Sequence, residues 1–122
     1  MQARKVRPIR MNTRMVARGD DAEACRRVAR FFVERVEEQD PGALSYEYLE
    51  NEDGSDFRIF EIHASSEALL SHLANAVPHL ERFDAACETL EVEIFGTTSD
   101  VLRVELETWG SVMHRPHDGF TR

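Results

Sequence analysis

The sequence predicts an α+β fold in which an antiparallel sheet carries its helices on one face, in the order β-α-β-β-α-β. Three observations predict it. Runs of period-2 alternation recur around residues 9–15, 43–49, 57–63 and 90–94. Two longer runs, 22–39 and 67–89, place apolar residues at spacings of three and four. The two central strand runs are separated only by a short polar segment, so they pair as an antiparallel hairpin.

Residues 1–8 read as a polar arm. Ile9, Met11, Thr13 and Met15 alternate with Arg10, Asn12 and Arg14 as the first strand, which Gly19 ends. Asp20 or Asp21 caps the first helix and suits the positive end of its dipole. Ala22, Cys25, Val28, Ala29, Phe32, Val33 and Val36 form its apolar stripe, which runs out near Gln39, before Pro41. Pro41-Gly42 marks a turn, and Leu44, Tyr46 and Tyr48 alternate with Ser45 and Glu47 as the second strand. Residues 50–56 hold the Asn, Asp and Gly that tight turns need. The third strand, 57–63, has Phe57 and Ile59 on one face and Phe60 and Ile62 on the other, which predicts a sheet covered on both sides. Helices supply one cover, and a second subunit is expected on the other.

Ser65 or Ser66 caps the next helix, which starts at Glu67. Pro78 fits a first helical turn better than an interior, so a break is expected near 75–78 and a second segment to about Thr89. Leu90, Val92 and Ile94 form the last clear strand, stopping at Gly96. The arrangement is the ferredoxin-like split βαβ, with right-handed crossovers expected. Past Gly96, Thr98-Ser99-Asp100 predicts a helix carrying Leu102, Leu106 and Trp109 and ending at Gly110. The alternation of Leu102, Val104 and Leu106 also suits a strand; the helix is preferred. The rest is expected to be extended, with Phe120 as an anchor. The expected organisation is an arm, 1–8, a domain, 9–96, and a C-terminal extension, 97–122.

A chain of 122 residues is one domain by size. Its net charge of −8 argues against nonspecific nucleic-acid binding. Residues 1–35 hold ten basic and four acidic side chains, and the remainder five and nineteen. The basic part suits an anionic ligand or the acidic part of a partner, though solvated faces are the simpler reading. Cys25 and Cys87 both fall on predicted apolar helix faces and read as small buried hydrophobes, not a disulfide framework. No stretch is apolar enough to span a membrane, and the Arg-rich start has no apolar core, so a cytoplasmic location is expected.

Pro41-Gly42-Ala43-Leu44-Ser45-Tyr46-Glu47, Phe60-Glu61-Ile62-His63, Glu67-Ala68-Leu69-Leu70-Ser71-His72-Leu73, His79 and Phe83 resemble the antibiotic biosynthesis monooxygenase family of dimeric α+β barrel proteins. The likeness covers about residues 9–96. It implies a homodimer packed sheet to sheet, a pocket between sheet and helices, and oxygenation of a quinol, anthrone or polyketide-type small aromatic ligand by dioxygen without metal or flavin. Non-catalytic binding of a small hydrophobic molecule and haem binding or degradation are the alternatives within the same fold. The third strand departs from the family's E-x-W ending, since Glu61-Ile62-His63 stands there and the only tryptophan, Trp109, lies in the extension. This weighs against the haem reading.

His72 matches the family's helix histidine and is the candidate catalytic base, with packing as the alternative role. Asn12 is a candidate donor to a substrate oxygen. Tyr46 and Tyr48 share a face and are candidates to line the pocket. Glu61 and His63 are two residues apart on a strand and form a candidate acid–imidazole pair, expected at the dimer interface. His79 reads as a packing residue. His114, His117 and Asp118 have ligand chemistry but no recognised metal spacing, so no metal is expected there.

Overall fold

The computed structural model describes residues 7–120 and 122. The arm expected over 1–8 therefore lies, apart from Arg7 and Pro8, outside the described residues.

Strand β1, Ile9–Ala17, buries Ile9, Met11, Thr13 and Met15 on one face, as its alternation requires. A tight turn with Gly19 at φ 60° leads to helix α1, Ala22–Gln39, whose N-cap Asp21 accepts a hydrogen bond from the Ala24 amide at 3.1 Å. Cys25, Val28, Phe32 and Val36 are its buried stripe. Strands β2, Ala43–Glu50, and β3, Asp56–His63, form the expected hairpin. Asn51 holds the turn, its Oδ1 accepting from the Ser55 and Asp56 amides at 3.0 and 3.1 Å. Helix α2, Ser66–Ala76, is capped by Ser65, whose side chain accepts from the Ala68 amide at 3.1 Å. The break at Pro78 is a 3-10 turn over Val77–His79, followed by helix α3, Leu80–Ala86.

Strand β4 spans Cys87–Phe95, three residues earlier than expected. Cys87 is thus a strand residue rather than a helix-face one. The cause is pairing: Cys87, Glu88 and Thr89 complete the ladder with Ala17, Val16 and Met15, and the register shifts between Arg14 and Met15. Leu90 falls at that bulge and stays 47 % exposed. Cys25 and Cys87 are fully buried free thiols with their sulfurs 2.6 Å apart. Helix α4, Asp100–Thr108, forms as preferred, with Ser99 as its cap and Gly110 at φ 69° just beyond its end. The extended tail adds a strand, β5, Val112–His114, parallel to β4. A parallel neighbour needs a crossover, and α4 supplies it.

The sheet order is β2-β3-β1-β4-β5, antiparallel except for the last pair, so the fold is the ferredoxin-like α+β arrangement with one added edge strand. Two apolar clusters lie between sheet and helices. One gathers Met15, Phe32, Phe57, Ile59 and Phe83 under α1 and α3. The other gathers Ile9, Met11, Leu69, Ile94, Leu102 and Leu106 under α2 and α4. Leu102 and Leu106 are fully buried, so residues 97–122 contribute to the same core as 9–96. The opposite sheet face leaves Leu49 and Phe60 about two-fifths exposed among Arg10, Arg14, Arg58, Glu91 and Glu93.

Candidate functional site

A cavity of about 250 Å³ opens between the two clusters. Met11, Leu73 and Val92 from one and Phe32, Ile59 and Phe83 from the other form its apolar walls. Its polar lining comes from three elements. On β3 the inward alternation that buries Phe57 and Ile59 also turns Glu61 and His63 inward. On β2 Tyr46 pairs with Glu61 and Tyr48 with Ile59, so both phenols share that face. On α2 the buried face carries Leu69, His72 and Leu73.

Four side chains form a continuous polar chain behind the cavity. Asp40 Oδ2 lies 2.8 Å from His72 Nδ1, His72 Nε2 lies 3.2 Å from Glu61 Oε1, and His63 Nε2 lies 2.8 Å from the same oxygen. Asn75 Nδ2 donates to the other oxygen of Asp40 at 2.5 Å. All four members are less than a tenth exposed. Burial by itself raises the pKa of Glu61, but the hydrogen bonds and charge of His63 and His72 outweigh it and the net shift is downward. Burial likewise lowers that of His72, but Glu61 and then Asp40 outweigh it and the net shift is upward. The site therefore favours the ionised form of Glu61 and the protonated form of His72. Tyr46 and Tyr48 sit with their hydroxyls 3.2 Å apart, and burial pushes both pKa values well above 10. They stay neutral, and after one O–H is donated within the pair the other remains for a ligand.

The structure brings His72, Glu61, Tyr46 and Tyr48 to the cavity, with His63 directly behind Glu61. Three expectations change. Glu61 and His63 do pair, but under the helices rather than at a dimer interface, because their alternation is that of Phe57 and Ile59. His72 is not a free imidazole as expected of a lone base: a carboxylate faces each ring nitrogen. Asn12 pairs with Phe60 and Glu93 on the other sheet face and is not among the residues that line this cavity. His79 packs edge-on against Phe31 with ring centres 5.1 Å apart. His114 stacks on Phe95 at 4.7 Å and pairs with Glu93 at 3.0 Å.

Asp40 was not singled out from the sequence. It is the residue on which α1 ends, where its charge opposes the helix dipole, and an acid kept there signals a partner elsewhere. Trp109 also reaches the cavity, with Nε1 donating to Glu105 Oε1 at 3.1 Å. The aromatic wall that β3 lacks is thus supplied by the end of α4. Among the described residues no helix is long and apolar enough to cross a membrane.

The family described as antibiotic biosynthesis monooxygenase matches residues 8–88. The structure of MupZ from Pseudomonas fluorescens superposes with a TM-score of 0.87 at 21% identity, covering 100% of this chain and 94% of that one. Rv0793 from Mycobacterium tuberculosis gives 0.64 at 20% identity, covering 76% and 97%. SnoaB from Streptomyces nogalater, described as a cofactor-independent oxygenase, gives 0.58 at 17% identity, covering 79% and 98%. At these identities the likeness is one of fold. No curated protein sequence matches the chain.

Proposed function

The chain belongs to the antibiotic biosynthesis monooxygenase family, and from that premise we propose that it oxygenates an electron-rich aromatic molecule, a quinol or anthrone, in the cavity beside Glu61. Dioxygen is the co-substrate and no organic cofactor is needed, in keeping with the similar fold of SnoaB, a cofactor-independent oxygenase. The observation that carries the reading is the ionised, buried Glu61 at the wall of an apolar, aromatic-lined cavity.

In this reading Glu61 accepts the acidic proton of the ligand, and His72 and His63 stabilise what remains. The free O–H of the Tyr46–Tyr48 pair donates to the ligand oxygen as charge develops there. The ligand anion gives one electron to dioxygen, and the radical and superoxide combine into a C–O bond. The peroxide takes back the proton from Glu61, and loss of water from the hydroperoxide turns the carbon that bears it, an anthrone CH₂ or a quinol ring CH, into a carbonyl, so one oxygen atom enters the product and the other leaves as water. Passing a proton from a phenol near pKa 10 to a carboxylate below 4.5 costs about 7 kcal/mol or more. A turnover of about 10 per second allows a total barrier of about 16 kcal/mol, which leaves room for that step.

The sheet face opposite the helices fits a second copy of the chain, because exposed Phe60 and Leu49 sit among basic and acidic side chains that can pair across a two-fold axis. Its free, buried thiols suit a reducing compartment such as the cytoplasm.

The test is oxygen uptake by metal-free protein with a panel of quinols and anthrones, beside a Glu61→Gln variant whose fold is checked by circular dichroism. Uptake by the wild type that the variant loses supports the proposal. No uptake across the panel by folded protein overturns it. A second reading, binding without turnover, draws on the same clamp: Glu61 is made less basic and both His72 nitrogens are engaged. Stoichiometric quenching of Trp109 fluorescence without oxygen uptake would select it.

A further inference from the structure

We propose that Glu61, His63 and His72 form a binding site for one divalent transition-metal ion of the zinc or ferrous type. One donor atom from each lies within 4.8 Å of the others, and all three residues are buried. The contacts of Glu61 Oε1 with His63 Nε2 and His72 Nε2 are 2.8 and 3.2 Å. Donors bound about 2.1 Å from one ion stand about 3.0 Å apart at octahedral angles and about 3.4 Å apart at tetrahedral ones. These two contacts therefore need to change by only a few tenths of an ångström to admit an ion.

Where the donors stand also suits a metal. Two come from one strand face and the third from the helix above it, so an ion would sit between sheet and helix with one side left open. Glu61 and His72 line the cavity, and the open side lies toward it, where water or a ligand oxygen completes the shell. His72 Nδ1 lies 2.8 Å from Asp40, which Asn75 holds in turn. A carboxylate behind an imidazole fixes the tautomer whose Nε2 lone pair faces the ion. His63 Nδ1 is buried and has no hydrogen-bond partner among the described residues. Two imidazoles and one carboxylate favour zinc, ferrous, cobalt or nickel ions over magnesium and calcium. The ion would take the place of the protons that otherwise join these groups.

The inference goes beyond the oxygenase reading and does not rest on it, because uptake is measured without metal and binding is read without turnover. The experiment titrates metal-stripped protein with Co²⁺ and Zn²⁺, followed by visible absorption and calorimetry. The expected result is one ion per chain, with protons released. Affinity falls at least about tenfold in His63→Ala and by roughly 10–100-fold in Asp40→Asn. It holds in a His114→Ala, His117→Ala double variant. X-ray absorption on the Co²⁺-loaded wild type should count two imidazole ligands. That count decides the matter if His63→Ala does not fold. Lack of saturable binding at ~100 μM metal, fewer than two imidazoles, or binding lost only with the tail histidines would overturn the proposal.

Discussion

Replacing Asp40 by asparagine tests the polar chain at its far end without touching the cavity lining. Asp40 uses one oxygen for His72 Nδ1 at 2.8 Å and the other for Asn75 at 2.5 Å. Asparagine keeps the shape but has a single acceptor oxygen and no charge, so one of the two bonds is lost and His72 keeps only Glu61 as a counter-charge. Losing a buried hydrogen bond to a charged group costs about 1–3 kcal/mol. Unfolding entropy of about 2.1 cal/mol/K per residue over 122 residues makes 2 kcal/mol equivalent to about 8 °C in Tm. The sharper readout is the His72 ring proton followed by NMR against pH. In the wild type its midpoint should lie above the ordinary 6.5, because Glu61 and Asp40 together outweigh burial. In Asp40→Asn the midpoint should fall. A wild-type midpoint at or below 6.5, or one that Asp40→Asn leaves in place, would refute the clamp.

Stability should follow the same two groups. The contribution of His72 is fully present below its ordinary 6.5 and is lost as pH rises through its raised folded value. That of Glu61 is present above its ordinary 4.5 and is lost as pH falls through its lowered folded value. Thermal melts should therefore peak across mild acid to neutral pH and drop on both sides, and a melting temperature still rising above pH 8 would contradict this. Gly42→Ala should cost about 1–3 kcal/mol in urea unfolding, because its new Cβ would meet the Ala68 Cβ at 2.5 Å and push α2 from the sheet. Trp109→Ala should leave the fold but enlarge the cavity, raising KM for small ligands more than it lowers kcat; an unchanged KM would remove Trp109 from the site. Diamide should join Cys25 and Cys87, seen as the loss of two hydrogens by mass, and stabilise the chain by roughly 4 kcal/mol through the 62-residue separation it closes.

The fold was largely legible because its signals are local. The stripe from Cys25 to Val36, the Asp21 and Ser65 caps and the Asn51 turn each act within a few residues of themselves, and each forms where its pattern places it. The failures are where tertiary pairing overrules local spacing. Cys87 continues the helical period of Leu80 and Phe83, yet the free edge of β1 offers Ala17 a partner, and a ladder hydrogen bond outweighs one more helical residue. Val112–His114 is too short to announce itself. It becomes a strand only because α4 returns the chain to the edge of β4.

The site follows the same division. Glu61 and His63 were legible as a pair because period 2 alone puts them on one face, but period 2 does not say which face. That is set by the neighbours: Phe57 and Ile59 share their parity and must go under the helices, so the carboxylate and imidazole go with them. His72 was legible as a position, but its surroundings were not, since they are set by Glu61 and by Asp40, 32 residues away. A buried ion pair adds little to stability beyond what apolar residues would give. Four polar groups therefore occupy the space between two apolar clusters at no evident gain in folding. Their presence fits the chemistry proposed for the cavity they border, by proton transfer or through a bound metal.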